Sequence, residues 1–285
     1  MFNDLVGNTE VKKYLEKTIE LDNASHSYMF VGKSGIGKRL FAREFAKKLL
    51  CLDKENCNGS CDSCIKFDAG THTDFYELEP DGNMIKISQI RSLLEKISVK
   101  PVTSSKKVYI INDADKMNQE SQNSLLKTLE EPAEYVTIIL IVENENIILP
   151  TIKSRCIKVS FNKLKQEDIK QINPEISDEL IEILDGSMSN VSTISENIVD
   201  YEAIKTLIGE IKTKPLQEFL KDADVLYNGK DNINSFLEYM NILFFKNGMI
   251  DAIEYVEKTK QKLLMNNNYE MSIDYLLMNT WKSVH

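Results

Sequence analysis

Histidine, basic charge and long apolar runs are all in short supply in this sequence. Only three histidines occur in 285 residues, His26, His72 and His285, too scattered to predict a histidine-based metal or catalytic cluster. Lysine and arginine number 35 against 44 acidic residues, a net charge of −9. That balance argues against non-specific nucleic-acid affinity as the main activity, so any DNA contact is expected to be local or made within a complex. No stretch approaches the ~20 consecutive apolar residues of a bilayer span. The opening MFNDLVGNTEVKK lacks the basic region and apolar core of a secretion signal, so a cytoplasmic protein without membrane association is expected. Repeat arrays and low-complexity linkers are missing too. What remains is an ordinary globular composition, 42% hydrophobic and 28% charged, in a chain long enough for two or three domains.

Cysteine is concentrated where other signals are thin. Four of the five cysteines fall in CLDKENCNGSCDSC, as Cys51, Cys57, Cys61 and Cys64; the fifth is Cys156. Disulfides do not persist in a reducing compartment, and four clustered thiolates suit a tetrahedral Zn²⁺ site. The closing C-x-x-C pair is the strongest part, and Gly59 permits a tight turn between ligands. A closed four-cysteine site has no open coordination position, so the zinc would be structural, fixing the loop after the helix LFAREFAKKLLC. The alternative is a loop with chance thiols. Cys156 has no histidine placed in sequence to activate it.

The stretch GKSGIGKR, residues 32–39, follows a short apolar run, SYMFVG, and precedes the helix RLFAREFAKKLL. Strand, glycine-rich loop and helix in that order make a phosphate-binding loop, with Gly32, Gly35, Gly37 and Lys38 as candidate phosphate contacts. The pattern ends in a Ser or Thr hydroxyl that binds Mg²⁺, and here the position holds Arg39, a cation with no lone pair to offer. The run KVYIINDADKM has Asn112 then Asp113 where an acidic pair is expected, and a neutral amide is a poor magnesium ligand. Two magnesium contacts are therefore weakened together, which favours a site that does not hydrolyse nucleotide. Weak nucleotide binding through backbone amides stays compatible with that.

The apolar runs DFYEL, KVYIIN and TIILIV alternate with helices such as SQIRSLLEKI, where Ile90, Leu93, Leu94 and Ile97 share a face. This predicts an α/β domain, residues 1–160, with a parallel sheet covered by helices on both faces. From about Phe161 the strand signal stops. A small helical domain over 161–199 and an all-α region over 200–285 are expected, with Ile273, Leu276, Leu277 and Thr280 of the last helix as a core face.

Four pieces, HSYMFVGKSGIGK, the four-cysteine insert, KVYIINDADKMNQESQNSLLKTLEEP and LPTIKSRC, resemble the bacterial clamp-loader subunits of the AAA+ superfamily. The resemblance covers residues 2–160, and NSLLKTLEEP and SRC are its most specific parts. It implies an AAA+ P-loop domain, a small helical lid and a helical C-terminal collar. It also implies assembly with tau/gamma and delta subunits in a ring that places a sliding clamp on primer-template DNA. In LDGSMSNVS, Ser189 stands where the motor subunit carries a sensor arginine, so three elements acting on the chain's own site have changed. Arg155 of SRC is retained. In this family that arginine reaches a neighbour's ATP, and such fingers contribute ~10³- to 10⁵-fold to hydrolysis in related systems. The bland alternative for Arg155 is a surface cation or a local salt bridge. The cysteine gaps of five, three and two residues depart from the family's longer first gap, which makes Cys57 the least secure ligand. Two other readings are an active clamp-loader ATPase of the tau/gamma type, with magnesium-dependent turnover by this chain alone, and a zinc-dependent DNA-binding module, which the acidic balance disfavours.

Overall fold

The computed structural model describes residues 2, 4–53, 57–174, 176–184, 186–187, 197–265 and 267–285. The chain divides into two compact units, Met1–Asp168 and Ile169–His285.

Among the described residues, five strands build the first unit: β1 (Ser27–Val31), β2 (Phe75–Leu78), β3 (Lys107–Ile111), β4 (Val136–Val142) and β5 (Ile157–Ser160). They form one sheet in the order β2-β3-β4-β1-β5, and every pairing is parallel. β3 and β4 are buried at every position, which is why they read as unbroken apolar runs. β5 was not among the runs expected from sequence. It is an edge strand, and of its residues only Val159 is buried, so it carries no apolar run to recognise.

Successive residues of a strand face opposite sides of the sheet, and each side has its own core. Tyr28, Phe30, Val108, Ile110, Ile139 and Ile141 point to one face. There they meet α1 (Thr9–Glu20), α2 (Lys38–Leu50) and α3 (Asp62–Asp68). Met29, Tyr109, Ile111, Ile138, Leu140 and Val142 point to the other. They pack against α4 (Ile87–Ile97), α5 (Gln119–Glu130) and α6 (Pro150–Lys153). Truncating one of these large core side chains costs ~3–5 kcal/mol, so the sheet is a stiff platform for the loops at its ends. Ile90, Leu93 and Ile97 are the buried face of α4, as their spacing predicts.

The second unit is helical among its described residues. Tyr201, on the helix Ile198–Glu210, stacks edge-on against Phe236 and Tyr239 of the helix Ile233–Lys246, with ring centroids 5.2 and 5.3 Å apart. Ile273, Leu276, Leu277 and Thr280 of the last helix, Tyr269–Val284, are fully buried, so the apolar stripe is core. Asp185 and Ser189 lie outside the described residues. Among the described residues no helix is long and apolar enough to cross a membrane.

Candidate functional site

The phosphate loop leaves the carboxyl end of β1, and α2 starts at Lys38 directly behind it. Gly35 and Gly37 both sit at positive φ, 73° and 93°. A Cβ on Gly32 would stand 2.8 Å from the Phe161 carbonyl oxygen, so glycine is what lets the loop pass under the end of β5. The loop therefore has the backbone that its sequence predicts.

Its polar groups are nevertheless occupied from within. Lys38 is buried, and its Nζ donates to the carbonyl oxygens of Gly32 and Lys33 at 2.6 and 2.5 Å. Burial pushes its pKa down, against the opposing pull of Glu143, Asp113 and Asp115. The Ser34 amide donates to Glu143 Oε1 at 3.3 Å, so one loop N–H is already bound to a carboxylate. Asp115 in turn accepts from the amides of Glu143 and Asn144 at 3.3 and 3.2 Å, fixing the turn after β4. Three carboxylates thus add negative charge near Lys38. Nothing in the sequence marks Glu143, which follows its strand without any motif of its own.

Arg39 and Asn112 prove to be joined through a residue that the sequence did not single out. Glu77, on β2, accepts from Arg39 Nε and from Asn112 Nδ2, both at 2.7 Å on Oε1, while Arg43 Nη1 pairs with Oε2. Arg39 Nη2 also reaches Glu79 at 2.5 Å. Burial alone would raise the Glu77 carboxyl, but the hydrogen bonds from Asn112 and Arg39 and the charges of Arg39 and Arg43 hold it below its ordinary value. The two positions read as missing magnesium ligands hold a fixed carboxylate instead. Asp113 takes a left-handed backbone, φ 46°, and pairs with Lys116 at 2.9 Å.

Arg155 lies at the opposite end of the sheet from its own loop. Its carbonyl oxygen accepts from Ser27 Oγ at 2.6 Å, at the first residue of β1. The loop begins five residues further along, ~16 Å at strand rise. The guanidinium pairs with Glu130 at 2.9 Å and donates to the Thr151 carbonyl oxygen at 2.8 Å, with a third of the side chain exposed. The local salt bridge is thus real, and it is made to the last residue of α5. Burial pushes the neighbouring Cys156 thiol up to about 11, which suits an inert packing residue.

The four clustered cysteines come together with all their sulfurs within 4.8 Å of one another. Cys51 Sγ lies 3.8 Å from Cys61 Sγ, and Cys57 Sγ lies 3.9 Å from Cys64 Sγ. Tetrahedral zinc with bonds of ~2.3 Å separates its sulfurs by ~3.8 Å, so this donor set fits a Cys₄ ion. Gly59, at φ 96°, turns its amide onto Cys57 Sγ at 3.3 Å. Hydrogen bonds from the Cys61 and Gly59 amides lower the Cys57 thiol to about 6, whereas burial pushes Cys64 up. A dication between them would offset that cost for the buried thiolates.

Behind the cysteines sits a Ser-His-Asp grouping that is not catalytic. His72 Nδ1 accepts from the Asp74 amide at 3.1 Å, which leaves the proton on Nε2, facing Ser63 Oγ at 2.9 Å. Ser63 Oγ donates to the Leu50 carbonyl oxygen at 2.7 Å. The imidazole is therefore a donor to Ser63 and no base for it, and burial lowers its pKa. These bonds pin the segment carrying Cys64 to the end of α2.

The family described as DNA polymerase III, delta subunit, matches residues 7–165. The DNA polymerase III subunit delta' of Bacillus subtilis is 34% identical over 272 residues, spanning 94% of this chain and 74% of that protein. The DNA polymerase III subunit tau/gamma of Haemophilus influenzae is 34% identical over 172 residues. That match spans 60% of this chain but only 25% of the relative. Among solved structures, a DNA polymerase III gamma subunit-related protein from Thermotoga maritima superposes with a TM-score of 0.51 at 18% identity. It covers 95% of this chain and 99% of its own, a likeness of fold: a parallel-sheet P-loop module followed by helices.

Proposed function

The chain belongs to the DNA polymerase III delta-subunit family, and from that premise we propose that it is the delta-prime kind of clamp-loader subunit. It does not hydrolyse ATP itself. It supplies Arg155 in trans to ATP held by a neighbouring tau/gamma subunit, within a cytoplasmic ring that also contains delta. That ring places a sliding clamp on primer-template DNA. The first domain, 1–160, carries the degenerate loop and a structural zinc module; residues 161–199 form the lid and 200–285 the collar.

The observation that carries this reading is the opposed placement of the two half-sites. At the carboxyl end of the sheet, Arg39 and Asn112 are spent on Glu77, and Lys38 is spent on its own loop. At the amino end, Arg155 is a strand length away from that loop and partly exposed, which supports a role toward another chain's nucleotide. A fixed guanidinium brought to a neighbour's transferring phosphoryl group would offset charge that grows in the transition state. The chain's own site, with no nucleotide cycle, gives no ligand-driven switch, so the subunit can stay fixed while its neighbours move.

The test is clamp- and DNA-stimulated ATP hydrolysis by a reconstituted complex of tau/gamma, delta and this chain. Arg155→Ala is expected to lower turnover, and Lys38→Ala to leave it unchanged. Steady hydrolysis by the isolated chain, abolished by Lys38→Ala, would make it a motor-type ATPase instead.

A further inference from the structure

At the end of the sheet remote from the phosphate loop, a cavity of about 290 Å³ opens between the carboxyl end of α4 and the first residues of β2 and β3. Lys96, Lys107, Tyr76, Tyr109 and Asp74 line it. Lys107 is only 6% exposed, and its Nζ donates to a single acceptor, the Lys96 carbonyl oxygen at 3.2 Å. An ammonium carries three donors, and among the described residues no carboxylate pairs with either lysine. Asp74 is committed elsewhere: its two oxygens accept the amides of Val102, Thr103 and Ser104 at 2.7–2.8 Å. Lys96 Nζ stands 3.7 Å from the centroid of the Tyr76 ring, which lies 6.3 Å from the Tyr109 ring. A buried cation without a direct ion-pair partner is costly, and here it lines a cavity together with two aromatic rings.

We infer that this cavity binds a small aryl anion, a phosphate or carboxylate carried on a single aromatic ring. The ammonium groups of Lys107 and Lys96 would take the anion, and the faces of Tyr76 and Tyr109 the ring. The site lies ~16 Å from Asn112 along β3 and is separate from the phosphate loop.

Calorimetric titration of the full chain with phenyl phosphate tests the assignment, with phenol and inorganic phosphate as probes lacking the charge or the ring. Phenyl phosphate is expected to bind about tenfold or more tightly than either, and Lys107→Met to weaken it by about tenfold or more, the worth of a charged hydrogen bond. Benzoate in place of phenyl phosphate distinguishes a carboxylate site from a phosphate site, and either result supports an aryl-anion site. A second readout needs no ligand: Lys107→Met should leave the melting temperature unchanged or raise it, because it removes a buried charge that no carboxylate among the described residues pairs with directly. The inference is overturned if phenyl phosphate does not bind, if it binds equally to Lys107→Met, or if that variant melts markedly lower.

Discussion

Arg39 Nε and Asn112 Nδ2 donate to the same oxygen, Glu77 Oε1, each at 2.7 Å. Two residues 73 positions apart in sequence are thereby one structural unit, and their departures from a magnesium-binding pattern are coupled. Restoring the pattern with Arg39→Ser and Asn112→Asp is expected to leave the chain without ATPase activity. The double change removes a guanidinium and sets a second carboxylate beside Glu77. It should therefore destabilise by more than the sum of the single changes, with a coupling of ~0.5–3 kcal/mol readable in a double-mutant cycle. Additive melting shifts would show that the two residues are independent.

The same carboxylate predicts a pH dependence. The Glu77 carboxyl sits below its ordinary value in the fold. Its contribution is therefore fully present above the unfolded pKa of ~4.3 and is lost as pH falls through the lower folded value, since the unfolded chain then binds more protons. Asp74, held low by three backbone amides that overcome its burial, acts in the same direction. Acid melts should show wild-type stability dropping below about pH 4.5, and Glu77→Gln should flatten part of that slope. An unchanged slope would mean that Glu77 is equally easy to protonate in both states.

Local signals were legible in the sequence and long-range partnerships were not. β1, β3 and β4 announced themselves because burial on both faces demands unbroken apolar runs, and the loop glycines because the turn requires them. β5 escaped because Ile157, Lys158 and Ser160 are exposed on an edge. Arg39 could be recognised as a lost hydroxyl, but nothing near it in sequence points to Glu77, 38 positions away. The glycine-rich pattern makes Lys38 a phosphate contact, and only the folded backbone shows its ammonium turned onto the carbonyls of its own loop.

That turned-in lysine and Glu143 bear on nucleotide affinity. Glu143 Oε1 occupies the Ser34 amide and adds negative charge at the loop mouth. Glu143→Gln is expected to raise the affinity of the isolated chain for a fluorescent ADP analogue several-fold, without creating hydrolysis, because the carboxylate no longer opposes the phosphates. A titration showing equal or weaker binding by the variant would remove Glu143 from the account of why the loop is closed.

The cysteine cluster predicts one zinc per chain by elemental analysis. Cys57→Ser and Cys64→Ser should each lose it, since four sulfurs at tetrahedral spacing leave no spare ligand. Chelation should lower the melting temperature of wild type and leave the variants unmoved, because a metal bound only by the folded chain stabilises it by mass action. Retention of a full equivalent by Cys57→Ser would reduce the site to three cysteines.

Arg155 and Glu130 together separate a finger from a salt bridge. In the isolated chain the guanidinium is held by Glu130 at 2.9 Å and by the Thr151 carbonyl oxygen. If Arg155 serves a neighbour's ATP, it must exchange Glu130 for phosphate, so Glu130→Gln should leave turnover of the complex equal or raise it. Arg155→Lys should fail to rescue, since an ammonium cannot present the planar pair of donors that a guanidinium offers. If Arg155 only anchors α5 to β5, the difference disappears: Glu130→Gln and Arg155→Ala should then lower the melting temperature alike, and turnover should follow stability in both. Measuring melting of the isolated chain beside hydrolysis by the complex distinguishes the two, because only a finger lets Arg155→Ala cut turnover while Glu130→Gln does not.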